Sequence, residues 1–214
     1  MIRLYHCTDA RSFRPLWALE ELGLDYELTV MPFPPRYRAK AFMTVNPLGT
    51  IPALADGETF MTESSAIVQY LVTRYGPSSL AVEAEDPAYG AWLNWLHFGE
   101  ATLTFPQTLV LRYRRFEPGK AEVVADDYAK WFLSRLKAVD RALQADDWLC
   151  AARFTAADIS VGYALLLATQ LGLDAEFSAA VADYWLRLQA RGGFQAAKAA
   201  QVRHAPEGSE TFAS

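Results

Sequence analysis

Four side chains able to donate or hold a proton stand close together near the start of the chain: Tyr5, Cys7, Thr8 and Ser12. They precede a run with Leu16, Leu19 and Leu22 at helical spacing, closed by Gly23. Proline is tolerated only in the first turn of a helix, so Pro15 fixes the start and makes Ser12 the N-cap. A hydroxyl there, with free backbone N–H groups and the positive end of the helix dipole, can stabilise an anion such as a thiolate. Ser12 is therefore the leading candidate for such chemistry, with a plain cap as its structural role, and Thr8 is a second hydroxyl. Cys7 is either a small buried strand residue or a thiol open to exchange. Tyr5 alternates with Leu4 and is expected to face the core, while Arg11 is a solvated cation or a source of positive potential.

A second place for an anion is Glu63-Ser64, which opens a later helix. His97 stands alone on a helix, where histidine is usually solvated or structural. There is no Cys-x-x-Cys, and no His and Cys pair lies at zinc-ligand spacing, so neither dithiol redox chemistry nor a structural metal is expected.

The elements that must position these residues follow from pattern. Met1 to Cys7 reads as a strand, Ser12 to Leu22 as a helix, and Tyr26 to Val30 as a strand with one buried face. A loop rich in proline and basic residues follows, then a hairpin over Ile51 to Thr62 with Asp56-Gly57 as a type I′ turn. A helix from about Ser64 to Tyr75 stops at Gly76-Pro77. This order predicts an α/β layer on a small mixed sheet. Small and acidic residues over 78–86 read as a linker, after which the chain is helical from the Asp86 cap and Pro87. The helices expected include one kinked near Pro106, one from near Lys120 to Leu143, one over Ala156 to Leu171, and a last one holding Tyr184 and Leu188. Thr155 and Asp158 form a capping box with Phe154 and Ile159 as its staple, so Asp158→Ala is expected to cost about 1 kcal/mol. The domain boundaries expected are 1–77, 87–204 and a polar tail over 205–214.

The 214 residues are 52% hydrophobic, enough for a large core, and the formal charge of −5 argues against a nucleic-acid footprint. The longest apolar stretch, near Ala164 to Ala168, is far short of the roughly 20 residues that span a bilayer, so no membrane segment is expected. No signal peptide is read at the N-terminus, and two cysteines are too few for a secreted disulfide framework, which together predict a cytoplasmic protein.

Three segments carry a family resemblance. They are Leu4-Tyr5-His6 with the helix from Ser12 to Gly23, the run Asn46-Pro47-Leu48-Gly49-Thr50-Ile51-Pro52-Ala53-Leu54 followed by Thr62-Glu63-Ser64-Ser65, and Phe154-Thr155-Ala156-Ala157-Asp158-Ile159. In this order they resemble bacterial glutathione S-transferases. The resemblance implies a thioredoxin-like glutathione-binding domain followed by an all-helical bundle, conjugation of glutathione to a small apolar electrophile, and a homodimer built on the helix at Ser64 and the first long C-terminal helix. Another glutathione-dependent activity (isomerase, dehalogenase or peroxidase) and a non-catalytic binding role are the alternatives. It also implies that the Ile51-Pro52 peptide is cis, that Ile51 pairs with the glutathione backbone, and that Glu63 and Ser64 hold the γ-glutamyl ammonium and carboxylate. Lys40 or Arg38 would reach the glycine carboxylate. Thiol activation falls to Ser12, Thr8 or Cys7. Arg11 stands where the beta class of the family has its cysteine, a departure from that class. The electrophile pocket is expected between the domains, lined by Phe98, Thr102, Phe105 and Tyr113.

Overall fold

The computed structural model describes residues 1–205, so the tail expected over 205–214 lies, apart from Ala205, outside the described residues. The described residues form two compact units, Met1–Ala81 with residues 189–205, and Val82–Leu188. Residues 189–204, which the sequence pattern placed in the helical domain, thus group with the first unit.

In the first unit β1 (Ile2–His6) pairs in parallel with β2 (Tyr26–Val30), joined through α1 (Phe13–Leu22), which Gly23 ends in the left-handed conformation. β1 also pairs antiparallel with β3 (Ala53–Asp56), and β3 with β4 (Thr59–Met61), giving the order β2-β1-β3-β4. Alternation along β1 sends Ile2, Leu4 and His6 to one face, where they are buried. There α1 packs against α3 (Ser64–Arg74), with Phe13, Leu16, Trp17, Leu54, Ile67 and Leu71 wholly buried. Tyr5 lies on the opposite face, half-buried against Phe42 at 5.4 Å, in a second, smaller core with Cys7, Met31, Ile51 and Ala53.

Two local expectations are corrected. Asp56 pairs with Thr59, so the turn is Gly57-Glu58 rather than Asp56-Gly57. A type I′ turn needs positive φ at both central residues, and only Gly57, at φ 58°, has it. The proline-rich loop holds a short helix, α2 (Pro35–Arg38), and a 3-10 turn over Lys40–Thr44, because Pro35 occupies the first helical position where no N–H bond is lost. Asn46 closes this segment by donating to the Thr50 carbonyl at 2.8 Å and accepting from the Leu48 N–H at 3.1 Å.

The helical unit runs through α4 (Tyr89–Phe98), a π-helical stretch over Gly99–Thr104, α5 (Phe105–Leu111) and a second π stretch over Arg112–Phe116. Then come α6 (Glu122–Leu143), α7 (Ala156–Gln170) and α8 (Ala179–Gln189). Helix α4 starts two residues later than the Asp86 cap predicted. Asp86 instead accepts from the Ala88 N–H at 2.8 Å in a turn that leads into the helix. The π stretch directly precedes Pro106, whose missing N–H cannot serve the carbonyl one turn back. The Thr104 hydroxyl donates to the Gly99 carbonyl at 2.7 Å within the widened turn. Helix α7 is buried from Ala156 to Ala168 and mostly apolar, with Asp158 and Ser160 enclosed and hydrogen-bonded. No helix among the described residues is long and apolar enough to cross a membrane.

At Gly99 the start of the π stretch lies close against α7. A Cβ there would stand 2.5 Å from the backbone of Ser160, whose hydroxyl donates to the Leu96 carbonyl at 2.6 Å. Gly99→Ala should therefore lower the stability of the helical unit by about 1–3 kcal/mol through overpacking. Urea titration should show a lower midpoint at unchanged slope.

One more helix, α9 (Gly192–Arg203), follows the one holding Tyr184 and Leu188, which the sequence pattern reads as the last. It belongs to the first unit and packs along α1. Phe194 sits edge-on to Phe13 and Trp17 at 5.2 and 5.0 Å.

Candidate active site

The loop between β1 and α1 separates its candidates sharply. Ser12 is at the N-cap position, but its side chain does not cap the helix. It is fully buried, accepts from the Cys7 N–H at 3.2 Å and donates to the Cys7 carbonyl at 3.4 Å. Cys7 is also fully buried, with Sγ 3.8 Å from the Pro32 carbonyl oxygen, and burial pushes its thiol up to about 12. It therefore stays protonated at neutral pH and is a poor nucleophile for exchange. Thr8 is half-buried, and its hydroxyl makes no hydrogen bond to another described residue. Arg11 is half-buried and engaged with other groups.

Across the sheet, the Ile51-Pro52 peptide is cis. The N–H and C=O of Ile51 have no partner among the described residues, although its side chain is buried in the smaller core. Glu63 is the exposed N-cap of α3, and its side chain makes no cap bond. Ser64 and Ser65 open the helix and are buried. The Ser64 oxygen accepts from Arg14 Nη1 at 3.0 Å, which leaves its own O–H free to donate. The Ser65 hydroxyl is buried with no partner. This helix start thus gathers free N–H groups, the positive dipole end, two hydroxyls and a buried guanidinium, a strong site for a carboxylate. Lys40 and Arg38 are exposed on the α2 segment.

In the helical unit, Phe98 and Thr102 line one groove of about 360 Å³ with Leu93, Asn94, His97 and Ala101. Phe105 is exposed and outside this groove. Tyr113 lines a different one, with Arg114, Pro118 and Asp126. The four aromatic and hydroxyl side chains expected to share a pocket are therefore divided.

Residues 10–74 match the family model for the N-terminal domain of glutathione S-transferases. Glutathione S-transferase 3 of Schizosaccharomyces pombe is 30% identical over 173 residues, covering 74% of this chain and 70% of that protein. The chain belongs to the glutathione S-transferase family. Glutathione S-transferase GstA of Escherichia coli O157:H7 is 27% identical over 94% of this chain and 98% of its own. A solved glutathione transferase from Methylococcus capsulatus superposes with a TM-score of 0.85 at 27% identity, covering 95% of this chain and all of that one. A sphingomonad glutathione S-transferase, solved in complex with glutathione, gives 0.82 at 26% identity over 94% and 98% of the two chains. The relatives come from yeast, plants and bacteria alike, so membership is of the superfamily and no class follows.

The chain is accordingly an enzyme of the glutathione S-transferase type, with a mixed β-α first domain and an all-helical bundle. Sequence reasoning missed Arg14. Its position on α1, one turn after Arg11 and on the buried side with Leu16 and Trp17, gave no hint that a cation there would reach Ser64.

Proposed function

We propose that this enzyme conjugates the thiol of glutathione to a small, apolar electrophile. The observation that carries the glutathione half is the pairing, in one unit, of an unpartnered Ile51 backbone with the Ser64-Ser65 helix start. Ile51 takes the cysteinyl backbone as an added antiparallel strand. Pro52 in its cis peptide follows it, Ser64 and the α3 N–H groups take the γ-glutamyl carboxylate, Glu63 takes the ammonium, and Lys40 the glycine carboxylate. Of the three thiol activators the sequence offered, the geometry favours Thr8. Its hydroxyl is half-buried and unbonded among the described residues, whereas the Ser12 hydroxyl and the Cys7 thiol are fully enclosed. The groove along α4 with Phe98 and Thr102 supports an apolar second substrate. Phe105 and Tyr113 are weaker candidates, since neither borders it. A homodimer in the cytoplasm completes the reading. Light scattering should give close to twice the 23.9 kDa of one chain.

Ser64→Ala should weaken glutathione binding by about 1.5–3 kcal/mol, the worth of a hydrogen bond to a charged group. Isothermal calorimetry measures it, and an unchanged affinity would remove Ser64 from the site. Turnover with a panel of aryl halides, haloalkanes and hydroperoxides tests the substrate class. Activity confined to hydroperoxides would replace conjugation by peroxide reduction.

A further inference from the structure

We infer that α9 holds the thiol-activating loop in its working shape, with Asp9, Gln201 and Lys198 as positioning residues. The inference rests on the proposed role of that loop in activating glutathione. Asp9 adopts φ 54°, in the left-handed region that a non-glycine residue keeps only when its surroundings impose it. The loop's own bonds, Ala10 N–H to the Cys7 carbonyl at 3.1 Å, Phe13 N–H to the Ala10 carbonyl at 2.8 Å and the two between Ser12 and Cys7, do not touch Asp9.

What fixes Asp9 arrives from the far end of the sequence. The Asp9 N–H donates to Gln201 Oε1 at 3.1 Å, and Gln201 Nε2 donates to Asp9 Oδ1 at 2.6 Å. One side chain thus reads both the main chain and the carboxylate of the same residue. Lys198 Nζ donates to both Asp9 oxygens at 2.8 Å. His6 Nε2 lies 3.0 Å from the same Gln201 oxygen, which already accepts from the Asp9 N–H. The network therefore assigns the His6 proton to Nε2. Gln201, His6 and Asp9 are all buried.

The other end of α9 is anchored as firmly. Arg191 meets Glu21 through two bonds at 2.7 and 2.8 Å, and a Cβ on Gly193 would lie 2.6 Å from the Glu21 side chain. Helix α9 is thus pinned to the end of α1 on one side and to the loop before α1 on the other. Thr8 directly precedes Asp9, so any relaxation of φ at Asp9 swings the Thr8 hydroxyl. The cradle at Ile51 and Ser64 makes no bond to this network.

Gln201→Leu should lower kcat about tenfold and raise the pKa of the bound glutathione thiol, read from thiolate absorbance against pH. The dissociation constant for glutathione should change less than twofold. A merely structural residue would move affinity and stability without a selective change in the thiol. Lys198→Met, at a half-exposed site, should shift both quantities in the same direction by about threefold and serves if Gln201→Leu does not fold. The double variant Asp9→Ala/Gln201→Leu should be no worse than the poorer single one, because the two residues act as a unit. A folded Gln201→Leu or Lys198→Met with unchanged kcat and thiol pKa overturns the inference, as does strict additivity. Failure of the underlying reading looks different: the unmodified enzyme then shows no thiolate signal with glutathione at any pH.

Discussion

In urea titrations followed by far-ultraviolet dichroism, Asp158→Ala should cost the helical unit about 3–5 kcal/mol, several times the loss of a simple cap. The capping box is formed as its sequence predicts, with Thr155 accepting from the Ala157 N–H at 3.2 Å and Asp158 Oδ2 accepting from the Thr155 N–H at 2.8 Å. Asp158 does more than close that box. Its other oxygen accepts from the Tyr184 hydroxyl at 2.8 Å and the Leu149 N–H at 3.2 Å, and the Thr155 hydroxyl lies 3.2 Å from Oδ2. One wholly buried carboxylate therefore ties α7 to α8 and to the turn before α7. Alanine would leave these donors buried without an acceptor, the situation in which the full desolvation penalty is felt. Asp158→Asn keeps the shape and two acceptor lone pairs, and should lose less. Glutathione affinity should stay within twofold in both, since the carboxylate cradle is in the other unit. A loss near 1 kcal/mol for Asp158→Ala would mean that the Tyr184 and Leu149 bonds contribute nothing.

That contrast shows what a sequence can and cannot disclose. A capping box is local: its partners are three residues apart, so spacing alone reveals it, and the helix ends at Gly23 and the α3 start at Ser64 are legible for the same reason. The bond from Tyr184 to Asp158 spans 26 residues, and nothing in the pattern around either marks it. The same distinction governs the active site. The helix start at Glu63-Ser64 and the hairpin entry at Ile51-Pro52 are readable as local structure because their signals lie on neighbouring residues. Ser12 was legible as a helix start, and that is where it stands. Its hydroxyl direction was not legible, because it depends on the Cys7 backbone folding back over it. Helix α9 escaped notice for a physical reason too. It opens on Gly192-Gly193, which reads as a break, yet Gly193 is needed for the close approach to Glu21. Its anchors, Asp9 and Glu21, lie at the other end of the chain.

The largest pH effect should come from His6. Burial holds its imidazole down at about 4, against a favourable bond to Gln201 and the Asp9 carboxylate, which raise it, and the Lys198 charge, which lowers it. In the unfolded chain the same ring titrates near 6.5. Below that value the unfolded state binds a proton that the folded state refuses, so stability must fall with falling pH. The contribution is complete above pH 6.5 and is lost progressively between 6.5 and about 4, roughly 3 kcal/mol in all. Asp158 works in the opposite sense. Burial raises it from 3.8 to about 6, so its contribution is complete below pH 3.8 and is lost as pH rises through 6. The two trends overlap and offset each other in the intact protein, which makes its total stability a poor probe. Comparison with His6→Gln isolates one of them, because glutamine can bond Gln201 but does not titrate. The stability of the unmodified protein minus that of His6→Gln, from urea midpoints, should fall by about 3 kcal/mol between pH 7.5 and pH 4. A difference that stays flat over this range would mean that His6 takes its proton as readily in the folded unit as in the unfolded chain. The buried network around Gln201 could not then be as closed as its distances indicate.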